Sequence, residues 1–261
     1  MFHTLLIQTE KSIRTISLNR PTRKNAISPQ MVNELLYALE AAESDSAIRV
    51  IVLTGTGEVF CSGGDLNQMA SGGTDAVELP LKGDYADLLL AICNFKKPVI
   101  AKVRGAAKGG GLGLVAACHL AIGASDAVFA TPELNVGLFP MMIMAVLARV
   151  MPKRRLLEMM LTTSTVSASE AVACGVLTRS TSSQLLEREV QSLAESLASR
   201  SPTAVERGLM AYSRMTDLSL RDALPMLRDE LFELLGTDDA REGLMAFVEK
   251  RQPVWGPRLS E

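Results

Sequence analysis

The apolar positions of this chain change period along its length. Leu5–Glu10 and Ile13–Leu18 are short β-like runs parted by Lys11-Ser12, the pattern of a hairpin. After Ser28-Pro29, apolar Val32, Leu35, Leu36 and Leu39 recur at helical spacing. Ser28 is the expected N-cap, with proline at the first helical position. Val50–Thr54 reads as a buried strand ended by Gly55-Thr56-Gly57. Residues 69–83 carry turn residues and no period, which predicts a mobile loop. Asp84–Phe95 returns to helix. Pro98–Val103, His119–Ala124 and Ala127–Ala130 read as strands, and the apolar stretch after Gly109-Gly110-Gly111 as a helix. The repeating unit is strand, strand, helix, which departs from a plain doubly wound α/β sheet.

Beyond residue 140 the pattern is helical. Ser167-x-x-Glu170 and Thr181-x-x-Gln184 have the form of capping boxes, and Gly175 that of a C-terminal cap. Ser201-Pro202 opens a helix as Ser28-Pro29 does. Leu218–Gly236 and Thr237–Arg251 are amphipathic. Leu231, Phe232, Leu235, Leu244, Phe247 and Val248 offer more apolar face than a small helical annex needs. They predict a subunit interface, with packing on their own core as the alternative.

Composition narrows the function classes. The 261 residues, 48% apolar, fit one large α/β domain with an appendage. A net charge of −2 provides no basic field for nucleic acid. Cys61, Cys93, Cys118 and Cys174 form no CxxC pair and no metal spacing, so they read as reduced thiols of a cytoplasmic protein. His3 and His119 lie far apart, which argues against a histidine metal site. The first residues lack a basic n-region and a long apolar run, so no signal peptide is expected. No apolar stretch reaches the ~20 residues of a membrane span.

The glycine run carries the chemistry. In Ala107-Lys108-Gly109-Gly110-Gly111-Leu112-Gly113-Leu114, adjacent glycines let backbone N–H groups approach a ligand at the start of a helix. That is how backbone forms an oxyanion hole. Phe60-Cys61-Ser62-Gly63-Gly64-Asp65-Leu66 supplies a second glycine turn that opens a helix. The lone acid of Thr131-Pro132-Glu133 adds a carboxylate, and the set points to chemistry beside a carbonyl. Gly111, Gly113 and Ala116 also match a dinucleotide fingerprint, with Glu133 downstream. The preceding strand ends near Val103, however, whereas in a dinucleotide site the glycines form the strand-to-helix turn itself. No G-x-S-x-G, Walker A or H-E-x-x-H sequence occurs. His119 lies in an apolar strand pattern and reads as a core histidine.

These stretches come in a familiar order: Leu18-Asn19-Arg20-Pro21, Asn25-Ala26, Val52–Gly57, Phe60–Leu66, Lys97–Ala101, Gly109-Gly110-Gly111, Pro132-Glu133, Val136-Gly137-Leu138, Leu161-Thr162, Ser169-Glu170-Ala171 with Gly175, and Phe247-x-Glu249-Lys250-Arg251-x-Pro253. Together they resemble the crotonase superfamily, the enoyl-CoA hydratase/isomerase family, over essentially the whole chain. The resemblance implies a spiral of ββα units over residues 1–198 and a helical trimerisation region over 199–261. It also implies assembly as a trimer or a dimer of trimers. The implied substrate is an acyl-CoA thioester, with coenzyme A part of the substrate and no separate cofactor. Gly64 and Gly110 match the residues whose N–H groups hold the thioester oxygen.

The chain departs from the two-glutamate pattern. Gly113 stands where those hydratases carry their first Glu, so Glu133 alone is left for proton transfer. Hydration of a 2-enoyl-CoA is the expected reaction, since hydratases of branched glutaconyl-type esters also lack that Glu. Isomerisation of a 3-enoyl-CoA needs only one carboxylate and is the alternative. A non-catalytic CoA-binding subunit is the reading from another class. The aryl-CoA dehalogenase branch is set aside because its nucleophilic Asp would fall at Met141. Ala26, Asp65, Leu66 and Met141 are the expected substrate contacts, with Arg23 and Lys24 near the CoA phosphates. Met141, Met142 and Met144 either mould the acyl pocket or pack the core. His119 replaces an Asp usual in the family, and the sequence assigns it no role.

Overall fold

A computed structural model describes residues 2–71 and 79–256. Leu5–Glu10 (β1) and Ile13–Leu18 (β2) form the expected hairpin, with Leu5 opposite Leu18 and Glu10 opposite Ile13. From β2 onward the chain winds in repeated turns. β2 leads through Ile27 into α1 (Pro29–Ser44). β3 (Val50–Gly55) leads through residues 60–65 to α2 (Leu66–Ser71), and α3 (Tyr85–Cys93) follows. β4 (Val99–Val103) leads through β5 (Ala106–Lys108) into α4 (Gly110–Ala117). β6 (Leu120–Ala124) leads through β7 (Val128–Ala130) to a 3-10 turn at Pro132–Val136 and α5 (Met141–Val150). The chain continues through α6 (Lys153–Thr162), β8 (Val166–Ser167), α7 (Ala168–Ala173), β9 (Arg179–Thr181) and α8 (Leu186–Ala198). It closes with α9 (Pro202–Met215), α10 (Leu220–Leu235) and α11 (Asp238–Val248).

The strands fall into two layers. The main sheet has the order β1-β2-β3-β4-β6-β9, parallel from β2 onward. Central strands of a parallel sheet are covered on both faces and so read as continuous apolar runs. β3 and β4 fit this: Val50, Ile51, Val99 and Ile100 are fully buried. The second layer is built from the short middle piece of each turn. Ile27 bridges Gly64, Cys61 bridges Ala107, β5 pairs with β7 in parallel, and β8 closes the edge. This is the ββα spiral that the resemblance implies. α8 packs on β3, β4 and β6, while α9 packs with α10 and α11.

Local signals explain most element ends. Ser28 Oγ accepts the Met31 N–H at 3.2 Å, and Ser201 Oγ accepts that of Ala204 at 3.0 Å. The Ser167/Glu170 capping box is present in both halves, and Gly175 adopts φ 86° just past α7. The expected box at Thr181 and Gln184 does not form. Thr181 is committed to β9 opposite Ala124, its carbonyl accepts the Ser125 N–H, and α8 begins only at Leu186 without a side-chain cap. Of the loop expected over 69–83, residues 69–71 close α2, 79–84 form no regular element, and 72–78 lie outside the described residues. His119 is a satisfied histidine: its Nδ1 accepts the Val99 N–H at 3.0 Å, and burial lowers its pKa to about 4. No helix among the described residues is long and apolar enough to cross a membrane.

Candidate active site

Residues 64, 110 and 133 meet because each follows a neighbouring strand of the second layer. Cys61 pairs with Ala107 and Lys108 with Ala130, so the segments beyond them emerge side by side. The Gly109 N–H donates to Ala130 O at 2.9 Å, which fixes the third segment to the second. The two glycine turns nest closely. A Cβ on Gly63, whose φ is +102°, would lie 3.1 Å from Lys108 O and 3.5 Å from Gly110 N. A Cβ on Gly109, at φ +50°, would lie 2.9 Å from Glu133 Oε1. Glycine is therefore required where the turns and the carboxylate press together.

Two N–H groups are left over by this packing. Gly110 is the first residue of α4, where no intrahelical acceptor exists for its N–H. Gly64 sits in a bridge whose hydrogen bonds use the flanking Gly63 carbonyl and Asp65 N–H instead. Neither the Gly64 nor the Gly110 N–H donates to a group among the described residues. The positive end of α4 adds to the attraction for a partial negative charge at this point.

Glu133 is presented by the 3-10 turn that follows β7. Buried Thr131 anchors the turn through Oγ1 to Met159 O at 3.2 Å, and Gly137 at φ 75° closes it. One carboxylate oxygen lies against Gly109; the other, Oε2, is buried with no hydrogen-bond partner among the described residues. Burial pushes the Glu133 carboxyl above its ordinary value. A carboxylate held back from water beside two uncommitted N–H groups can move a proton next to a carbonyl held by those donors.

The family model described as Enoyl-CoA hydratase/isomerase matches residues 8–258. The chain belongs to the enoyl-CoA hydratase/isomerase family. It is 33% identical over 255 residues to "Enoyl-CoA hydratase domain-containing protein 3, mitochondrial" of Xenopus laevis, covering 97% of this chain and 87% of that relative. It is 34% identical over 255 residues to a "Probable enoyl-CoA hydratase" of Rhizobium meliloti, covering 96% and 97%. Among solved structures, an enoyl-CoA hydratase from Mycobacterium smegmatis superposes with a TM-score of 0.91 at 32% identity, over 97% of this chain and 99% of that one.

Against the enoyl-CoA hydratase/isomerase pattern, the remaining expected residues separate into groups. Arg23 and Lys24 are exposed and make no ion pair among the described residues, so both are free to meet an anion. Leu66 and Met141 begin α2 and α5 with exposed side chains, while Ala26 is buried. Asp65, expected among the substrate contacts, has its side chain committed elsewhere. Its carboxylate is buried and pairs with Arg20 at 3.0 Å. Arg20 also donates to Ala26 O at 2.6 Å, and Asn25 holds Arg20 N–H, Thr56 O and Val59 O. This network ties the Gly63-Gly64 turn to the segment ahead of α1, a task for Arg20 and Asn25 that their stretches of sequence do not disclose. Met142 is exposed, and Met144 packs against the core as one of the two expected uses has it.

The space around Gly113 is filled. A Cβ on Gly113 would lie 2.4 Å from Ile143 Cγ2 and 2.5 Å from Tyr85 Oη. Tyr85 and Ile143 escaped the sequence reading because no motif or spacing links them to the glycine run. Cys61, beneath the turns, is fully buried with its thiol pushed up to about 12, so it stays protonated and offers no nucleophile. No group of three or more His, Cys, Asp or Glu suited to a metal occurs among the described residues.

Proposed function

We propose that this chain adds water across the double bond of a 2-enoyl-CoA thioester. One observation supports the reading above others: the buried, unpartnered Glu133 Oε2 lies beside glycine turns whose Gly64 and Gly110 N–H groups are uncommitted. The thioester oxygen accepts both N–H groups. Glu133 takes a proton from water as the water oxygen bonds to the β-carbon. The double-bond electrons move through the α-carbon onto the thioester oxygen, where fixed donors meet the new charge without reorganising. Glu133 then delivers the proton to the α-carbon, giving syn addition. Coenzyme A enters as part of the substrate, with Arg23 and Lys24 toward its phosphates, Ala26 and Leu66 along its path and Met141 beside the acyl chain. A homo-oligomer, trimer or dimer of trimers, and a cytoplasmic location complete the proposal; its relatives include bacterial proteins and several named as mitochondrial.

Isomerisation of a 3-enoyl-CoA to a 2-enoyl-CoA is the second reading. The filled space at Gly113 favours it, because a 1,3-proton shift needs no second acid. Incubation with paired 2-enoyl- and 3-enoyl-CoA panels, including a glutaconyl-type ester, in ¹⁸O-water separates the two by mass spectrometry. A labelled adduct is expected. A shifted double bond without mass gain makes the enzyme an isomerase, and esters bound but unaltered leave a CoA-binding subunit. Glu133→Gln is expected to lower turnover about 100- to 10,000-fold while ester binding persists.

A further inference from the structure

Gly113 carries no side chain at the position where the resemblance expects a second acid, and Glu133 is the acid that remains. What lies against Gly113 is a phenol. The Tyr85 hydroxyl lies 2.5 Å from where a Cβ of residue 113 would begin, and a Cβ on Gly110 would be 3.5 Å from the same oxygen. The hydroxyl donates its hydrogen bond to Gly110 O, in the first turn of α4. Tyr85 is itself the first residue of α3, fixed there by a complete capping box. Asp84 accepts from the Ala86 and Asp87 N–H groups, and Asp87 accepts from Asp84 N–H. Ile143, the other nearest neighbour of that position, offers no polar atom.

We infer that the Tyr85 hydroxyl is the second group that holds the reacting water, taking the place of the carboxylate absent at Gly113. Its single proton is committed to Gly110 O, so its free lone pair faces the water as an acceptor. Water is gripped by Glu133 through one hydrogen and by Tyr85 through the other, which orients its oxygen toward the β-carbon. Glu133 takes the first proton and returns it to the α-carbon, and the second stays on the oxygen as the product hydroxyl. Tyr85 exchanges no proton. Burial, with the charge of Glu133 nearby, raises its pKa well above the ordinary phenol value and keeps it neutral throughout.

Tyr85's role rests on the hydration reading, and the test separates the two. The full chain and its Tyr85→Phe variant, which keeps the ring and its packing, are compared in two assays. One is ¹⁸O-water addition to a 2-enoyl-CoA. The other is exchange of the α-proton of a saturated acyl-CoA with D₂O, which uses Glu133 and the glycine N–H pair but adds no water. Tyr85→Phe is expected to lower kcat for hydration about 10- to 100-fold, with KM within about twofold and α-exchange nearly unchanged. An equal loss in both assays would reduce Tyr85 to a brace for the first turn of α4 and overturn the assignment. So would unchanged hydration. Absence of a labelled adduct with the unsubstituted chain brings down the hydration reading itself, and Tyr85's role with it. Matching thermal midpoints for the two proteins exclude misfolding as the cause, and Tyr85→Met, an adaptable apolar side chain without the hydroxyl, repeats the comparison if the Phe variant is unstable.

Discussion

At Glu133 one carboxylate oxygen lies against Gly109 and the other is buried without a partner, so the charged form has lost water and gained little. Desolvation is the leading cause of its raised pKa. Two consequences follow with opposite signs. As the base that takes a proton from water, Glu133 must be ionised, so kcat/KM is expected to rise with pH through the raised pKa. The acid limb of the pH–rate profile therefore lies above the ordinary 4.5. For stability the sign reverses. The folded chain holds the Glu133 proton more tightly than the unfolded chain does. Stability from this group is present below the unfolded value and is lost as pH rises through the folded one. Glu133→Gln removes that burden, so at pH 7 its thermal midpoint should equal or exceed that of the unsubstituted chain while turnover collapses. A lower midpoint would mean that the carboxylate is structurally satisfied, contrary to its unpartnered oxygen.

At the scale of elements, His119 joins the starts of β4 and β6 by accepting the Val99 N–H, the task its sequence position did not disclose. Burial lowers its pKa from 6.5 to about 4. The unfolded state thus binds more protons between those values, and stability falls as pH drops through that window, by up to about 1.4 kcal/mol per pH unit. Urea unfolding at pH 7 and pH 5 measures this directly. His119→Gln keeps an acceptor but cannot titrate, so the difference between the two pH values should shrink in that variant. Elements that carry their own signal were legible beforehand: the β1–β2 hairpin by two short β-like runs parted by Lys11-Ser12, α1 and α9 by their Ser-Pro starts, α7 by its capping box. β5, β8 and β9 were not: two or three residues hold no period, and unlike β7, whose apolar run Ala127–Ala130 stood out, these exist only through partners distant in sequence. Thr181 shows the competition plainly, since sheet pairing with Ala124 overrode a capping-box pattern. The site divides in the same way. Glycine turns and the lone acid announce themselves through residue type, and Gly113 marks a gap. What fills that gap depends on Tyr85 and Ile143, which reach it only through packing across α3, α4 and α5.

At the scale of the whole molecule, the two helices farthest along the described chain carry a group of exposed large apolar side chains. Leu231, Phe232 and Leu235 of α10 and Leu244, Phe247 and Val248 of α11 are all exposed, Phe247 at 83% and Phe232 at 64%. Scattered apolar residues on a surface need no explanation, but a cluster of this size does. The helices are otherwise well built: Ser219 and Thr237 cap them, and Arg251 pairs with Glu242 beyond the end of α11. Poor folding is therefore not the reason for the exposure, and burial against further copies of the chain would remove it at about 25 cal/mol per Å² of apolar area. Sedimentation velocity should show a species of three or six chain masses. A double variant, Leu231→Asp with Phe247→Asp, places carboxylates on that face. Burying an unpaired charge costs far more than the apolar contact returns, so the variant is expected to sediment as a monomer with its far-ultraviolet circular dichroism unchanged. A single-chain mass for the unsubstituted protein at micromolar concentration would sink the interface. A variant that stays oligomeric would move the interface elsewhere on the surface.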